Sequence, residues 1–285
     1  MDKEKIDILA NENWPEGLSE VPQPPKQIYI KGELPPTDFH RLCVVGSRKF
    51  TSYGKAVCEI LIESLRGQKV VIISGLALGI DSIAHKKALE VGLPNIAVPG
   101  SGLSEKVLYP SLHRNLARQI VEKGGCLLSE FEPNFKATPY SFPQRNRIMA
   151  GISESILIIE AEKKSGTLIT ARLALDYNRE VLSVPGSILN SSSEGTNFLI
   201  KLGARPICNC EDLFDALNLK EISTEDKFAD CSSDEKKIIE LLREPMPRDE
   251  LIRESGLAVG EIQVLLSVME IKGIIKETMG EIRLS

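Results

Sequence analysis

Short apolar runs alternate along this chain with longer stretches whose apolar residues recur at helical spacing. The runs are Leu42 to Val45, Val70 to Ile73, Asn95 to Val98, Cys126 to Ser129, Ile156 to Ile159 and Val181 to Val184. Runs this short and this uniformly apolar read as strands buried on both faces. Between them, Lys55 to Leu65, Ser82 to Val91, Leu112 to Lys123, Thr170 to Asn178 and Asn197 to Leu202 carry the helical period. The alternation predicts parallel βαβ units, and with helices needed on both faces the expected fold is an open, doubly wound α/β sheet.

The pattern changes at both ends. Residues 1–27 carry Pro15, Pro22, Pro24 and Pro25 among charges, which predicts an irregular leader with little core of its own; order begins near Gln27-Ile28-Tyr29-Ile30. The large domain then runs over 28–217. The polar, acidic stretch from Asn218 to Asp230 reads as a linker, assigned to 218–231. From 232 to 285 a second unit is expected. Ser232-Ser233-Asp234-Glu235 offers a cap and first-turn acids for a helix through Arg243, a second helix spans Arg248 to Ser255, and a third Val259 to Ile271. Two short strands about Met279-Gly280 complete a winged-helix pattern.

Composition narrows the function. A length of 285 residues suits one large domain plus a small one. Thirty-five Lys and Arg against 40 Asp and Glu give a net charge of -5, so affinity for nucleic acid requires a local basic patch. The six cysteines, Cys43, Cys58, Cys126, Cys208, Cys210 and Cys231, contain no CxxC pair and read as reduced structural thiols, with no metal or cofactor expected. The N-terminus is too polar for a signal peptide, and no apolar run approaches the roughly 20 residues that span a bilayer. A cytoplasmic protein without membrane contact is expected.

Candidate chemistry lies just after the strands. Five turns there carry glycine: Gly46-Ser47-Arg48, Ser74-Gly75, Gly100-Ser101-Gly102, Ser165-Gly166-Thr167 and Pro185-Gly186-Ser187. In open α/β sheets ligands bind beyond the carboxyl ends of the strands, where glycine lets backbone N–H groups approach an anion. A single glycine also simply ends a strand; five together favour a phosphate site. GxGxxG and the P-loop pattern are both missing, which disfavours ordinary dinucleotide or nucleoside triphosphate binding. Arg48 is placed to clamp a phosphate through its planar fork.

A second cluster, Tyr140-Ser141-Phe142-Pro143-Gln144-Arg145-Asn146-Arg147, combines arginines and aromatic rings with no acid. Such a mixture fits single-stranded nucleic acid, arginine neutralising phosphates while rings stack on unpaired bases; a helix start with Phe142 packed inward is the structural alternative. Asp81 and His85, four apart, have the spacing of a base and its orienter, but a carboxylate in a first helical turn is stabilised by the dipole and reads as structural. Glu160 with Ser165 has no nucleophile elbow or metal cluster to support hydrolysis.

The blocks GSRKFTSYG, SGLALGIDSIAH, PGSGLSEKVLYP, SEFEP, FPQRNRIMAGIS, IIEAEKKSGTLITA and SVPGS with SEGTNFLIKLGA, running from about Val44 to Ala204, resemble the DprA/Smf family of DNA-processing proteins. The resemblance implies an extended Rossmann-like domain that binds single-stranded DNA, forms a homodimer, protects incoming DNA and helps load the RecA recombinase during natural transformation, with no catalytic reaction. It places Gly46, Ser47, Arg48, Ser74, Gly75, Phe142, Arg145, Asn146, Arg147, Ser165, Gly166 and Thr167 on the family's DNA-contacting blocks. Gly100, Ser101 and Gly102 join them from the glycine-turn argument, and Tyr140 and Phe142 are both candidates for the base-contacting ring. On this reading Arg48→Ala and Arg145→Ala each weaken single-strand binding and leave the fold intact.

The chain departs from many relatives in its first 27 residues, which do not supply their N-terminal helical domain. Its third C-terminal helix is mostly apolar and acidic, which favours protein contact over reading duplex DNA. Two other functions fit the sequence less well. The nucleotide phosphoribohydrolases that share this topology have a PGGxGTxxE signature that is missing here, and a ligand-sensing transcriptional regulator would need a more basic third helix.

Overall fold

The computed structural model describes residues 5–219, 231–242, 244–271, 274–278 and 280–284. They fall into two compact units divided between Lys220 and Glu221. Most of the expected linker, 220–230, and the expected positions Arg243 and Met279 lie outside the described residues.

The first unit is a nine-stranded sheet. Its strands are β1 (Ile6–Leu9), β2 (Ile28–Gly32), β3 (His40–Val45), β4 (Val70–Ser74), β5 (Asn95–Ala97), β6 (Cys126–Ser129), β7 (Ser155–Ile158), β8 (Glu180–Ser183) and β9 (Arg205–Pro206). The order is β1-β2-β6-β5-β4-β3-β7-β8-β9. All pairs from β6 to β9 are parallel, while β1–β2 and β2–β6 are antiparallel. The chain builds outward from β3 through β4, β5 and β6, then returns to pair β7 with the other side of β3. That reversal makes the β3–β7 boundary the switch point, where the turns leaving the two strands diverge and open a crevice.

Both faces of the sheet are covered, as the uniformly apolar strands require. Leu42, Val44, Ile72, Leu157 and Leu182 pack on one side with helices α1 (Ser52–Ser64) and α2 (Ile80–Val91). Their neighbours Cys43, Val45, Ile73, Ile156, Ile158 and Val181 point to the other side. There they meet α4 (Ser141–Ile152) and α5 (Thr167–Asp176). The alternation is the period of two of a pleated strand, and each fully buried aliphatic side chain contributes about 1.5–3 kcal/mol. Helix α3 (Arg114–Glu122) covers β5 and β6. Among the described residues no helix is long and apolar enough to cross a membrane.

The leader departs from expectation. Ile6–Leu9 adds an edge strand to β2, and Leu18 and Val21 are buried in the core. Leu18 follows Gly17, whose φ of 81° turns the chain into the sheet, and Val21 fits against Gly151 of α4, where a Cβ would stand 2.7 Å from its Cγ1. Proline content signals the loops between these contacts, and it masks two apolar anchors only three residues apart.

In the second unit, helices Ser233–Leu241, Arg248–Ser255 and Val259–Ile271 accompany a three-stranded sheet ordered β10 (Met246–Pro247), β12 (Glu281–Leu284), β11 (Ile275–Thr278). Ile238, Leu251, Ile262, Leu266 and Ile282 form its core. The expected cap is present as a capping box: Ser232 Oγ accepts from Glu235 N at 3.2 Å and Glu235 Oε2 accepts from Ser232 N at 2.7 Å. The arrangement is a winged helix.

If the leader belongs to the core, Leu18→Ala lowers stability by about 2–5 kcal/mol in urea denaturation. A surface segment would give a change within about 0.5 kcal/mol.

Candidate functional site

A cavity of about 690 Å³ opens at the β3–β7 switch point. One wall is the turn after β3, Gly46 to Lys49; another is the turn from Glu162 to Thr167 that starts α5; the third is the beginning of α4 with Phe142, Arg145 and Asn146. Local bonds fix the two turns to each other. Ser47 Oγ accepts from Lys49 N at 3.1 Å and donates to Lys49 O at 2.8 Å, which closes the first. Thr167 Oγ1 donates to Gly46 O at 3.1 Å and accepts from Ser165 Oγ at 3.0 Å, which joins the second. Gly46 is required by close packing, since a Cβ there would lie 2.7 Å from Ile80 Cγ1.

Beneath the cavity are two buried groups that carry opposite charge, Asp81 and Arg145. Arg145 is 4% exposed and its Nη1 donates to both Gly75 O and Val98 O, tying the ends of β4 and β5 to α4. Its Nε donates to Asn146 Oδ1 at 3.1 Å. Asp81 Oδ2 accepts from Gly75 N at 3.1 Å and Ala77 N at 3.4 Å. The Gly75 residue is therefore gripped on its N–H by a carboxylate and on its carbonyl by a guanidinium. Burial pushes the Asp81 carboxyl up from its ordinary value, with Arg145 and the two N–H groups opposing. Burial likewise pulls Arg145 down, opposed by Asp81. A side chain at position 75 would strike the guanidinium.

The turn that follows is held at Leu76, Ala77 and Gly79. Leu76, at φ 58°, is buried and its carbonyl accepts from His113 Nδ1 at 2.7 Å; Gly79, at φ 85°, packs against the backbone of Ser47 and Arg48. His85 does not orient Asp81. Its Nδ1 donates to Asn95 Oδ1 at 2.8 Å, and burial lowers its pKa to about 4, so it is neutral at pH 7. Glu160 is equally structural. Its carboxylate accepts from Thr51 Oγ1 at 2.6 Å and Thr51 N at 3.0 Å, fastening β7 to the start of α1 rather than activating Ser165.

Of the residues singled out in the sequence, Gly46, Ser47, Arg48, Phe142, Arg145, Asn146, Ser165, Gly166 and Thr167 meet around the cavity. Gly75 faces a narrow adjoining slot with Arg48, Leu78, Tyr109 and Phe142. Five others are placed elsewhere. Ser74 is buried with its Oγ donating to Val44 O at 2.6 Å. Gly100, Ser101 and Gly102 form a buried turn: Gly100 O accepts from Ser141 Oγ, Ser101 Oγ accepts from Tyr109 N, and Gly102 N donates to Phe135 O at 2.9 Å. Arg147 pairs with Glu130 and donates to Gln23 O at 2.6 Å, pinning the leader. These turns end strands by packing on their neighbours, and a glycine needed for packing looks the same in sequence as one needed for a ligand.

Three exposed charges line the cavity, the cations Arg48 and Lys49 on one turn and the carboxylate Glu162 on another, so its surface carries a net positive charge on the Arg48 side. Arg48 lies over Phe142, its guanidinium carbon 5.1 Å from the ring centroid, and forms no salt bridge among the described residues. Lys49 and Tyr109 escaped the sequence reading; Lys49 adjoins Arg48, but only the fold brings Tyr109 within 5.6 Å of Phe142. Tyr140 is 83% exposed and does not line the cavity.

Comparison with known proteins gives the site a context. The sequence matches the family described as DNA recombination-mediator protein A over residues 5–218 and the DprA winged helix domain over 224–281. It is 37% identical over 280 residues to Protein Smf of Escherichia coli K12, covering 95% of this chain and 74% of that one. The structure is similar to that of DNA processing protein A from Streptococcus pneumoniae, with 36% identity, a TM-score of 0.67 and 74% of each chain covered. It is also similar to DNA processing protein A from Helicobacter pylori, reported for its single-stranded DNA binding mode. There the identity is 30%, the TM-score 0.67, and the match covers 76% of this chain and 98% of that one.

The buried charges correct the expectation that both arginine variants leave the fold intact. Arg145→Ala strands Asp81 and two carbonyls and should cost about 3–5 kcal/mol in denaturant unfolding, whereas Arg48→Ala should change stability by no more than about 0.5 kcal/mol. His85 supplies a pH signature. Because its folded pKa lies below the unfolded value of about 6.5, its contribution is present above that pH and is lost as pH falls toward about 4. Unfolding free energy should therefore drop by about 2 kcal/mol more between pH 7 and pH 5 in the wild type than in His85→Gln.

Proposed function

We propose that this chain, which belongs to the DNA recombination-mediator protein A (DprA/Smf) family, binds single-stranded DNA in the switch-point cavity. The observation that carries the reading is the cavity's combination of side-chain-poor turns, unpaired cations and an aromatic ring. Gly46-Ser47 and Ser165-Gly166 let backbone approach a phosphate, Arg48 and Lys49 neutralise it, and Phe142 gives an apolar wall beside it. An unpaired strand can turn its bases into such a crevice, whereas a duplex keeps them stacked inside. The Helicobacter pylori relative supports the same ligand class.

Within this reading Gly46, Ser47, Arg48, Phe142, Asn146, Ser165, Gly166 and Thr167 contact the strand, and Arg145 and Gly75 hold the floor. Family resemblance extends the proposal to a homodimer in the cytoplasm that protects incoming DNA and helps load RecA during natural transformation. No catalytic step is part of it. The winged helix fits a protein-contacting role: its third helix exposes Val259, Val264 and Val268 and carries Glu261 in its first turn, a poor surface for neutralising phosphates.

Fluorescence anisotropy with labelled oligo-dT and the matching duplex, over a salt series, tests the reading. The single strand should bind more tightly, with affinity falling as salt rises. Arg48→Ala should weaken single-strand binding and reduce the log–log salt slope by about 0.7, the single-strand value per phosphate contact. Preference for the duplex, or a slope unmoved by the substitution, would contradict it.

A further inference from the structure

The aromatic ring at the cavity has little free face. Arg48 lies over Phe142, Gly100 packs so closely that a Cβ would stand 2.7 Å from Phe142 Cδ1, and Tyr109 lies 5.6 Å away with its ring tilted by 52°. Phe142 is half-buried as a result. Tyr109 is not: it is 48% exposed, while its backbone is fixed by the bond from Tyr109 N to Ser101 Oγ at 3.1 Å. It lines the slot beside the cavity together with Leu78, Phe142 and Arg48. A half-exposed ring on a backbone that is already fixed offers a stacking surface at a low ordering cost when a base arrives.

The turn carrying Tyr109 also carries charge. Lys106 is exposed three residues before it, and Arg114 Nη2 donates to Lys106 O at 3.1 Å, which holds a second exposed cation against the same turn. Glu105, the acid nearest in sequence, is paired with Arg118 at 3.1 Å. Two exposed cations, one on the turn that carries Tyr109 and one bonded to it, join an exposed ring in the combination found at the cavity.

Resting on the single-strand reading above, we propose that Tyr109 is a second stacking platform for an unpaired nucleobase. The strand leaves the cavity past Phe142, lays the next base on the open face of Tyr109, and places the adjoining phosphates near Lys106 and Arg114. The subsite accepts any base, because every base presents a π face. Tyr140 has the larger exposure, yet it lines neither the cavity nor the slot.

The test is the affinity of the full chain for labelled dT strands of about 4 and about 16 nucleotides. Tyr109→Leu keeps an apolar group against Phe142 and removes the π face, so the ratio of long-strand to short-strand affinity should fall about tenfold, while Tyr109→Phe keeps the wild-type ratio. A long strand whose outer bases are replaced by abasic sites should lower the wild-type ratio to a similar extent. An unchanged ratio in Tyr109→Leu, or a fall in Tyr140→Leu instead, overturns the proposal. Equal loss on both strands does so too, since Tyr109 would then act only by holding Phe142. A wild-type chain with no affinity for either strand overturns the single-strand reading itself, which separates that failure from failure of the second platform.

Discussion

The geometry of the site depends on Asp81 and Arg145 gripping Gly75 from opposite ends of its backbone. Burying either charge alone would cost several kcal/mol. The cost is offset here because each charge is satisfied by fixed partners: two N–H groups for the carboxylate, and carbonyls of two strand ends for the guanidinium. The grip fixes the turn after β4, and the turn fixes its neighbour, since Ile80 N donates to Ser47 O at 3.2 Å and Gly79 abuts Arg48. The exposed Arg48 is thus aimed by a buried arginine. One guanidinium supplies rigidity, and the other remains free to meet a ligand.

Helix α4 connects this frame to the rest of the unit. Its first five residues bring Phe142 and Arg145 to the cavity, and its outer side is held by Leu18, Val21 and the bond from Arg147 to Gln23. The leader therefore acts on the cavity from a distance, by fixing the helix that forms one wall. Glu160 has a comparable role on the other wall, where it joins β7 to α1 and Gly54 leaves room for its carboxylate.

Much of this architecture was legible in the sequence because strands buried on both faces announce themselves as uniform apolar runs. All six expected runs are strands, and the turns at Gly46 and Ser165 do meet at one crevice. The remainder required contacts between distant residues. Arg48, Arg145 and Arg147 are the same residue in similar local settings, yet one is exposed, one buried beneath the site and one pinned to the leader. Which is which depends on what lies opposite. The turn at Gly100-Ser101-Gly102 has the composition of a phosphate loop, but the backbone of residues 132–135 fills the space a ligand would need. β1 is interrupted by Asp7 and β9 is only two residues, Arg205 and Pro206, so neither shows as a uniform apolar run.

Backbone amide chemical-shift mapping during titration with oligo-dT tests the central claim most directly, because it reports every turn at once. The account predicts large shifts at Gly46, Ser47, Arg48, Gly166 and Thr167, with Gly100, Ser101 and Arg147 nearly unmoved. Shifts centred on the Gly100 turn or on Arg147, with the β3–β7 switch point unmoved, would contradict it.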